Sequence, residues 1–137
     1  MAPSRNGPCL CGSGGKLKRC CLPIIEGAPA KSPVTLLRAR YVAYGLGEVA
    51  FLIASTDPRG SQWHADHAAW ERDLRAYCAV LRLGGLAVAE SSVTGEQGFV
   101  RYEAKLVVQG RDVVLAEAAR YRKDGDRWLY TDGDVSP

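Results

Sequence analysis

The chain has 137 residues, a mass of 14.8 kDa and a formal net charge of +3, with 47% hydrophobic and 24% charged residues. That is the composition of one globular domain, or of a domain with a small appendage, and it excludes wholesale disorder and a collagen-like fibre. No window approaches the ~20 apolar residues that cross a bilayer. The polar stretch Met1 to Leu10 lacks the apolar segment of a signal peptide, so a cytoplasmic address is expected.

Charge and cysteine are unevenly placed. Residues 1–40 carry seven Lys and Arg against Glu26 alone, a net +6, while residues 41–137 carry a net −3. Cys9, Cys11, Cys20 and Cys21 fall close together and Cys78 stands apart. An odd count with two adjacent cysteines suits a disulfide framework poorly. The spacing C-x-C-x8-C-C suits one tetrahedral ion better: Cys9 and Cys11 share a face of an extended strand. Gly12, Gly14 and Gly15 permit positive φ, and a helical turn over Lys16 to Cys21 returns the second pair. Soft thiolates in this number favour one Zn²⁺, and a filled ligand set makes that ion structural. A redox-active thiol cluster is an alternative; an iron–sulfur site is disfavoured by the tight spacing. Lys16, Lys18 and Arg19 have two readings. They offset the negative charge of a four-thiolate site, or they form a basic patch for acidic protein, ribosomal RNA or anionic lipid, although three charges are few for nucleic acid.

Residues 8–21 resemble the SEC-C motif, the zinc-binding segment at the C-terminus of SecA and in many small bacterial proteins. The resemblance implies that Cys9, Cys11, Cys20 and Cys21 are the ligands. It also implies a docking role, since the motif of SecA engages the chaperone SecB. Leu17 stands where the motif usually has an aromatic residue, and Leu10 where it usually has proline.

A turn-rich connector from Glu26 to Pro33 follows. Ser32-Pro33 reads as an N-cap with proline at N1, opening a helix whose face is Leu37, Tyr41 and Tyr44 and whose end is near Gly45 or Gly47. A short apolar piece, Val49 to Ala54, stops at Asp57-Pro58. From Ser61 to Leu83 the stripe Trp63, His67, Trp70, Leu74, Tyr77 and Leu81 predicts an amphipathic helix with His67 on the buried side, closed by Gly84-Gly85. Strands are then expected over 100–108, 113–122 and 128–132, with turns at 95–98, 109–112 and 123–126. Helices followed by a run of strands make an α+β fold with a meander sheet.

Leu37-Arg-Ala-Arg-Tyr-Val-Ala-Tyr44, Ala116-Glu-Ala-Ala-Arg-Tyr121 and Gly125-Asp-Arg-Trp-Leu-Tyr-Thr-Asp-Gly133 resemble the YchJ-like (UPF0225-type) bacterial family. The resemblance implies a SEC-C knuckle with its connector over 1–30. It implies a nuclear-transport-factor-2-like domain over 31–137, a cone of helices on a curved antiparallel sheet. Where relatives carry His-Pro this chain has Asp57-Pro58, so no role is transferred to Asp57.

Several residues outside the knuckle are candidates. Glu117 shares a strand face with Val113, Leu115, Ala119 and Tyr121. Its expected roles are a buried pair with Arg38 or Arg40, or a ligand anchor in the sheet cavity beside Tyr41 and Tyr102. Tyr44, Trp128 and Tyr130 read as core and cavity wall. His64 and His67 lack a third ligand and read as core or rim histidines, and Cys78 as a small buried hydrophobe. The expected function is a zinc-stabilised adaptor that docks on a protein partner. A small enzyme or binding protein working in the cavity is the alternative.

Overall fold

A computed structural model describes residues 3–136. A one-turn 3-10 helix (Leu17–Arg19) leads into α1 (Cys21–Ile25), α2 (Pro33–Leu46), α3 (Val49–Ala54) and α4 (His67–Ala79). Four strands follow: β1 (Leu81–Thr94), β2 (Gln97–Val108), β3 (Arg111–Asp124) and β4 (Arg127–Ser136). They form one antiparallel sheet in the order β1-β2-β3-β4. This is the expected fold class: helices laid on one face of a meander sheet.

Local chemistry explains α2. The Ser32 hydroxyl accepts from the Thr35 N–H at 3.1 Å, Pro33 fills the first turn, and Gly47 ends the helix at φ 73°. That satisfies a free donor at one end and supplies the left-handed residue at the other. The buried face of α2 carries Leu36, Leu37, Tyr41 and Val42, and it sits on Val100, Tyr102 and Ala119 of the sheet. Gly98 is what lets α2 come so close, because a Cβ there would strike Pro33 and Trp128.

The inner face of the sheet is set by register. Leu106, Ala104, Tyr102 and Val100 of β2 stand opposite Val113, Leu115, Glu117 and Ala119 of β3. Between β2 and β3 the two-residue turn Gln109-Gly110 has φ 52° and 79°, the positive pair that suits the twist of a hairpin.

Two expectations fail here. The second long helix begins at His67, six residues after Ser61, and ends at Ala79. Asp66 caps it, its carboxylate accepting from the Ala69 N–H at 3.1 Å. Gly84 and Gly85 do not close that helix; they lie inside β1 at a bulge, where the register skips between Leu83 and Gly85. A second skip follows between Val88 and Glu90. The inward residues of β1 are therefore Leu81 and Leu83, then Leu86 and Val88, then Ser91, facing in turn Val108, Leu106, Ala104, Tyr102 and Val100. Each bulge adds one residue and inverts the parity, so a strand of 14 residues shows no sustained alternation in its sequence. The bulge also frees an N–H: Gly85 donates to the Tyr41 hydroxyl at 2.8 Å, tying β1 to α2.

Candidate functional site

Two polar constellations stand out, both against α2. The first is the cysteine knuckle. Pro8 and Lys16 form an isolated antiparallel bridge, the Cys9 N–H donates to the Gly15 carbonyl at 2.8 Å, and the Leu17 N–H donates to Gly7 at 3.0 Å. These bonds close a loop whose reversal needs Gly12 and Gly14 at φ 78° and 91°. Gly15, expected to share that role, has an ordinary φ and serves through its carbonyl. The 3-10 turn then delivers Cys20 and Cys21. All four sulfurs lie within 4.8 Å of one another, with Cys11 to Cys20 at 3.6 Å and Cys20 to Cys21 at 3.9 Å. Four sulfurs bonded at about 2.3 Å to a tetrahedral ion would be about 3.8 Å apart, so the donor set fits a metal ion.

Electrostatics argue the same way. Burial, and then the neighbouring cysteines, push the Cys21 thiol well up. Burial also opposes ionisation of Cys11, but hydrogen bonds from Ser13, Cys9 and Cys20 outweigh it and bring that thiol down to about 7. One thiolate is supported without a cation; four at this separation are not. Cys9, Cys11 and Cys21 are buried and belong to one apolar cluster with Leu36, Leu37 and Tyr41 of α2. Arg38 donates to the Cys11 carbonyl at 3.0 Å, so it braces the knuckle. Lys16 and Arg19 are exposed and Lys18 half-buried, while Leu10, between the first two cysteines, is 36% exposed.

The second constellation is a cavity of about 560 Å³ between α2, α4 and the inner face of the sheet. Glu117 is on its floor, 8% exposed. The Tyr102 hydroxyl donates to one carboxylate oxygen at 2.5 Å and the Tyr130 hydroxyl to the other at 2.6 Å. Burial, reinforced by the adjacent Glu117, holds both phenols above their usual range, so they remain donors. Glycine at 133 leaves the space: a Cβ there would collide with the Glu117 carboxylate. Neither Arg38 nor Arg40 reaches Glu117. Arg40 spends one amino group on the Leu52 carbonyl at 2.9 Å and the Ser55 and Thr56 hydroxyls at 2.7 and 3.3 Å, with its plane over the Tyr130 ring at 4.8 Å.

The roof is α4, and it buries none of its residues. His67 is exposed, which corrects the expected buried position; Cys78 is half-buried. Trp70, Leu74 and Tyr77 look into the cavity, so the predicted stripe faces space rather than core. His64 stands at the rim, 5.1 Å from the Trp70 ring, and His67 stacks edge-on to Trp63 at 4.8 Å. Trp70 and Gly133 are site residues that reading the sequence did not assign to the site. Trp70 was visible as part of a stripe, whereas Gly133 carries no pattern at all.

The polar residue that locks the frame is Asp57. It is fully buried and accepts two parallel hydrogen bonds from Arg122 at 2.8 Å each, one from Thr131 at 3.1 Å and one from the Arg59 N–H at 2.9 Å. The Arg122 contact dominates and holds its carboxyl down at about 2. This pair fastens the loop after α3 to β3 and β4.

Comparison with known proteins agrees with this architecture. Residues 5–23 match the SEC-C motif, and residues 32–133 match the family model described as "YchJ, middle NTF2-like domain". The chain belongs to the YchJ-like family. A UPF0225 protein of Pectobacterium carotovorum is 32% identical over 133 residues, covering 91% of this chain and 81% of that one. A UPF0225 protein of Xanthomonas oryzae is 35% identical over 129 residues, with 93% and 94% covered. The solution structure of a SEC-C motif containing protein from Rhodopseudomonas palustris superposes with a TM-score of 0.79 at 28% identity, covering 96% of this chain and all of that one. No described helix is long and apolar enough to cross a membrane.

Proposed function

We propose that this YchJ-like protein binds a small molecule in the sheet cavity and that its knuckle holds one structural Zn²⁺ as a brace for α2. The observation that carries the ligand reading is the floor of the cavity. A carboxylate is buried there, and two phenols hold its orientation. Above it lies about 560 Å³ of space, within the range of small-molecule pockets. Burying a carboxylate costs several kcal/mol in an apolar setting, and a sheet that needed only a core would place leucine at this position. Fragment screening by NMR on the isotope-labelled full chain tests it. Binders should shift resonances of Tyr102, Tyr130 and Trp70. Shifts absent from those residues across a broad library would overturn the reading.

For the knuckle, Cys9, Cys11, Cys20 and Cys21 would supply all four ligands. The ion then has no open position for water and supplies folding energy rather than chemistry. Lys16, Lys18 and Arg19 offset the site's net −2. Elemental analysis of protein purified without chelator should give one zinc per chain, and X-ray absorption should show sulfur neighbours only.

One further observation favours an adaptor role beside the first. Leu10 is 36% exposed, and Lys16 and Arg19 of the same knuckle are exposed too, a combination of apolar and basic surface that suits an acidic protein partner. A pull-down with and without chelator tests it. A partner retained equally after metal removal would exclude docking through the knuckle.

A further inference from the structure

The cavity's charge and walls narrow the class of ligand. Glu117 has two oxygens that can each accept about two hydrogen bonds, and each accepts one, from Tyr102 and Tyr130. Among the described residues no Lys, Arg or His nitrogen comes within 4.0 Å of it. A buried carboxylate with spare acceptor capacity and no fixed counter-charge therefore faces open space. At the rim Asp66 and Asp73 add two more carboxylates, and Arg40 is the one Lys or Arg among the lining residues. Arg40 is already engaged: the last turn of α3 takes its amino group through Leu52, Ser55 and Thr56. Asp66, Asp73 and Glu117 outnumber Arg40 among the lining residues, so acidic charge predominates. The walls are aromatic, and several rings present faces or edges to the space, including Tyr44 and Tyr77 packed edge-to-face at 6.0 Å. Leu74, Leu83 and Leu115 supply the remaining apolar surface.

An anion would meet three carboxylates here, and a neutral apolar ligand would leave the negative charge of Glu117 without a counter-charge. A cation satisfies the carboxylate and gains from the ring faces, an attraction that grows when water is excluded. We infer that the cavity takes an amphipathic organic cation, an amine or quaternary ammonium carried on an apolar body. This rests on the cavity-ligand reading above.

The test uses three probes that share one benzyl body: benzyltrimethylammonium, benzyl alcohol and phenylacetate. Each is titrated into the full chain, with Trp70 and the Tyr102–Ala104 amides followed by NMR. The cation should bind at least about tenfold more tightly than the alcohol, with phenylacetate weakest. Glu117→Gln should lower the affinity for the cation about tenfold and lower that for the alcohol by less. Should that variant fail to fold, the Asp66→Asn/Asp73→Asn pair at the rim should still weaken the cation severalfold. If the alcohol or phenylacetate binds as well as the cation, or if the cation perturbs only residues outside the cavity, the inference is overturned while cavity binding by other ligands stands. If no probe shifts the cavity resonances and the fragment library also fails, both readings fall.

Discussion

The knuckle and the cavity solve the same physical problem in opposite ways. Each gathers ionisable groups in a buried place, but the knuckle brings together four sulfurs that suit an ion, whereas the cavity gives Glu117 two hydroxyl donors from within the sheet. Four sulfurs within 4.8 Å of one another form a donor set that fits a metal ion. Glu117, by contrast, is held by two hydroxyls and has open space above it. One site is complete only when filled; the other is complete as built and still able to receive something. On the proposed reading the knuckle is a structural device and the cavity the place for recognition.

The largest expected effect separates the two by removing the metal. Structural zinc in small sites contributes on the order of 10 kcal/mol or more, and residues 3–25 have little apolar core of their own. Chelation should abolish amide protection over residues 7–25 in hydrogen exchange and loosen the first turns of α2, which share a cluster with Cys9, Cys11 and Cys21. Protection over β2 and β3 should persist. Loss of protection at Tyr102 and Ala104 as well would show a single folding unit and erase the contrast.

Acid should strain the body through a different group. Asp57 is depressed from 3.8 to about 2, so its contribution is complete above about pH 4 and is lost as the pH falls towards 2. The shift corresponds to about 2–3 kcal/mol. Asp57→Asn should cost a similar amount at pH 7, measured by denaturant titration. Between pH 4 and 2 its stability should fall less steeply than the parent's. Parallel slopes would mean that the pair with Arg122 is not what anchors the loop.

Two glycines sharpen the comparison at smaller scale. At Gly133 the obstacle is space, since a Cβ meets the Glu117 carboxylate; Gly133→Ala should cost about 1–3 kcal/mol in thermal or chemical unfolding, as overpacking does. At Gly12 nothing lies within 4 Å and the obstacle is the φ of 78°. Gly12→Ala should cost about 1 kcal/mol, read as roughly a fivefold loss of metal affinity. Equal effects of the two on metal affinity would contradict the separation of the sites.

The parts legible in the sequence were those whose signal is local. Ser32-Pro33 is a local cap signal, and the α2 stripe and the alternation from Val100 to Val108 each follow from a single periodicity. The same is true of the cysteine spacing, because ligands two residues apart, glycines for reversal and an adjacent pair are a chemical requirement written in order. What escaped was non-local. The two bulges of β1 invert its parity, so Gly84-Gly85 imitated a helix stop. The α4 stripe was real, but a stripe reports only that a face is apolar, not whether core or an open cavity lies beneath it.

Sequence by itself determined α2, the three strands after β1, the four converging thiols and the inward parity of Glu117, because covalent spacing and side-chain period suffice for each. Only the tertiary structure decided which groups meet Glu117. Tyr102 lies across a strand pair and Tyr130 beyond a bulge, and the glycine that admits the carboxylate is 16 positions along the chain. Arg38 and Arg40 were the nearer guess by charge, yet α2 turns one towards the Cys11 carbonyl and the other towards the end of α3. Partner choice in a buried site depends on where backbones converge, and that follows from register and packing, not from the order of residues.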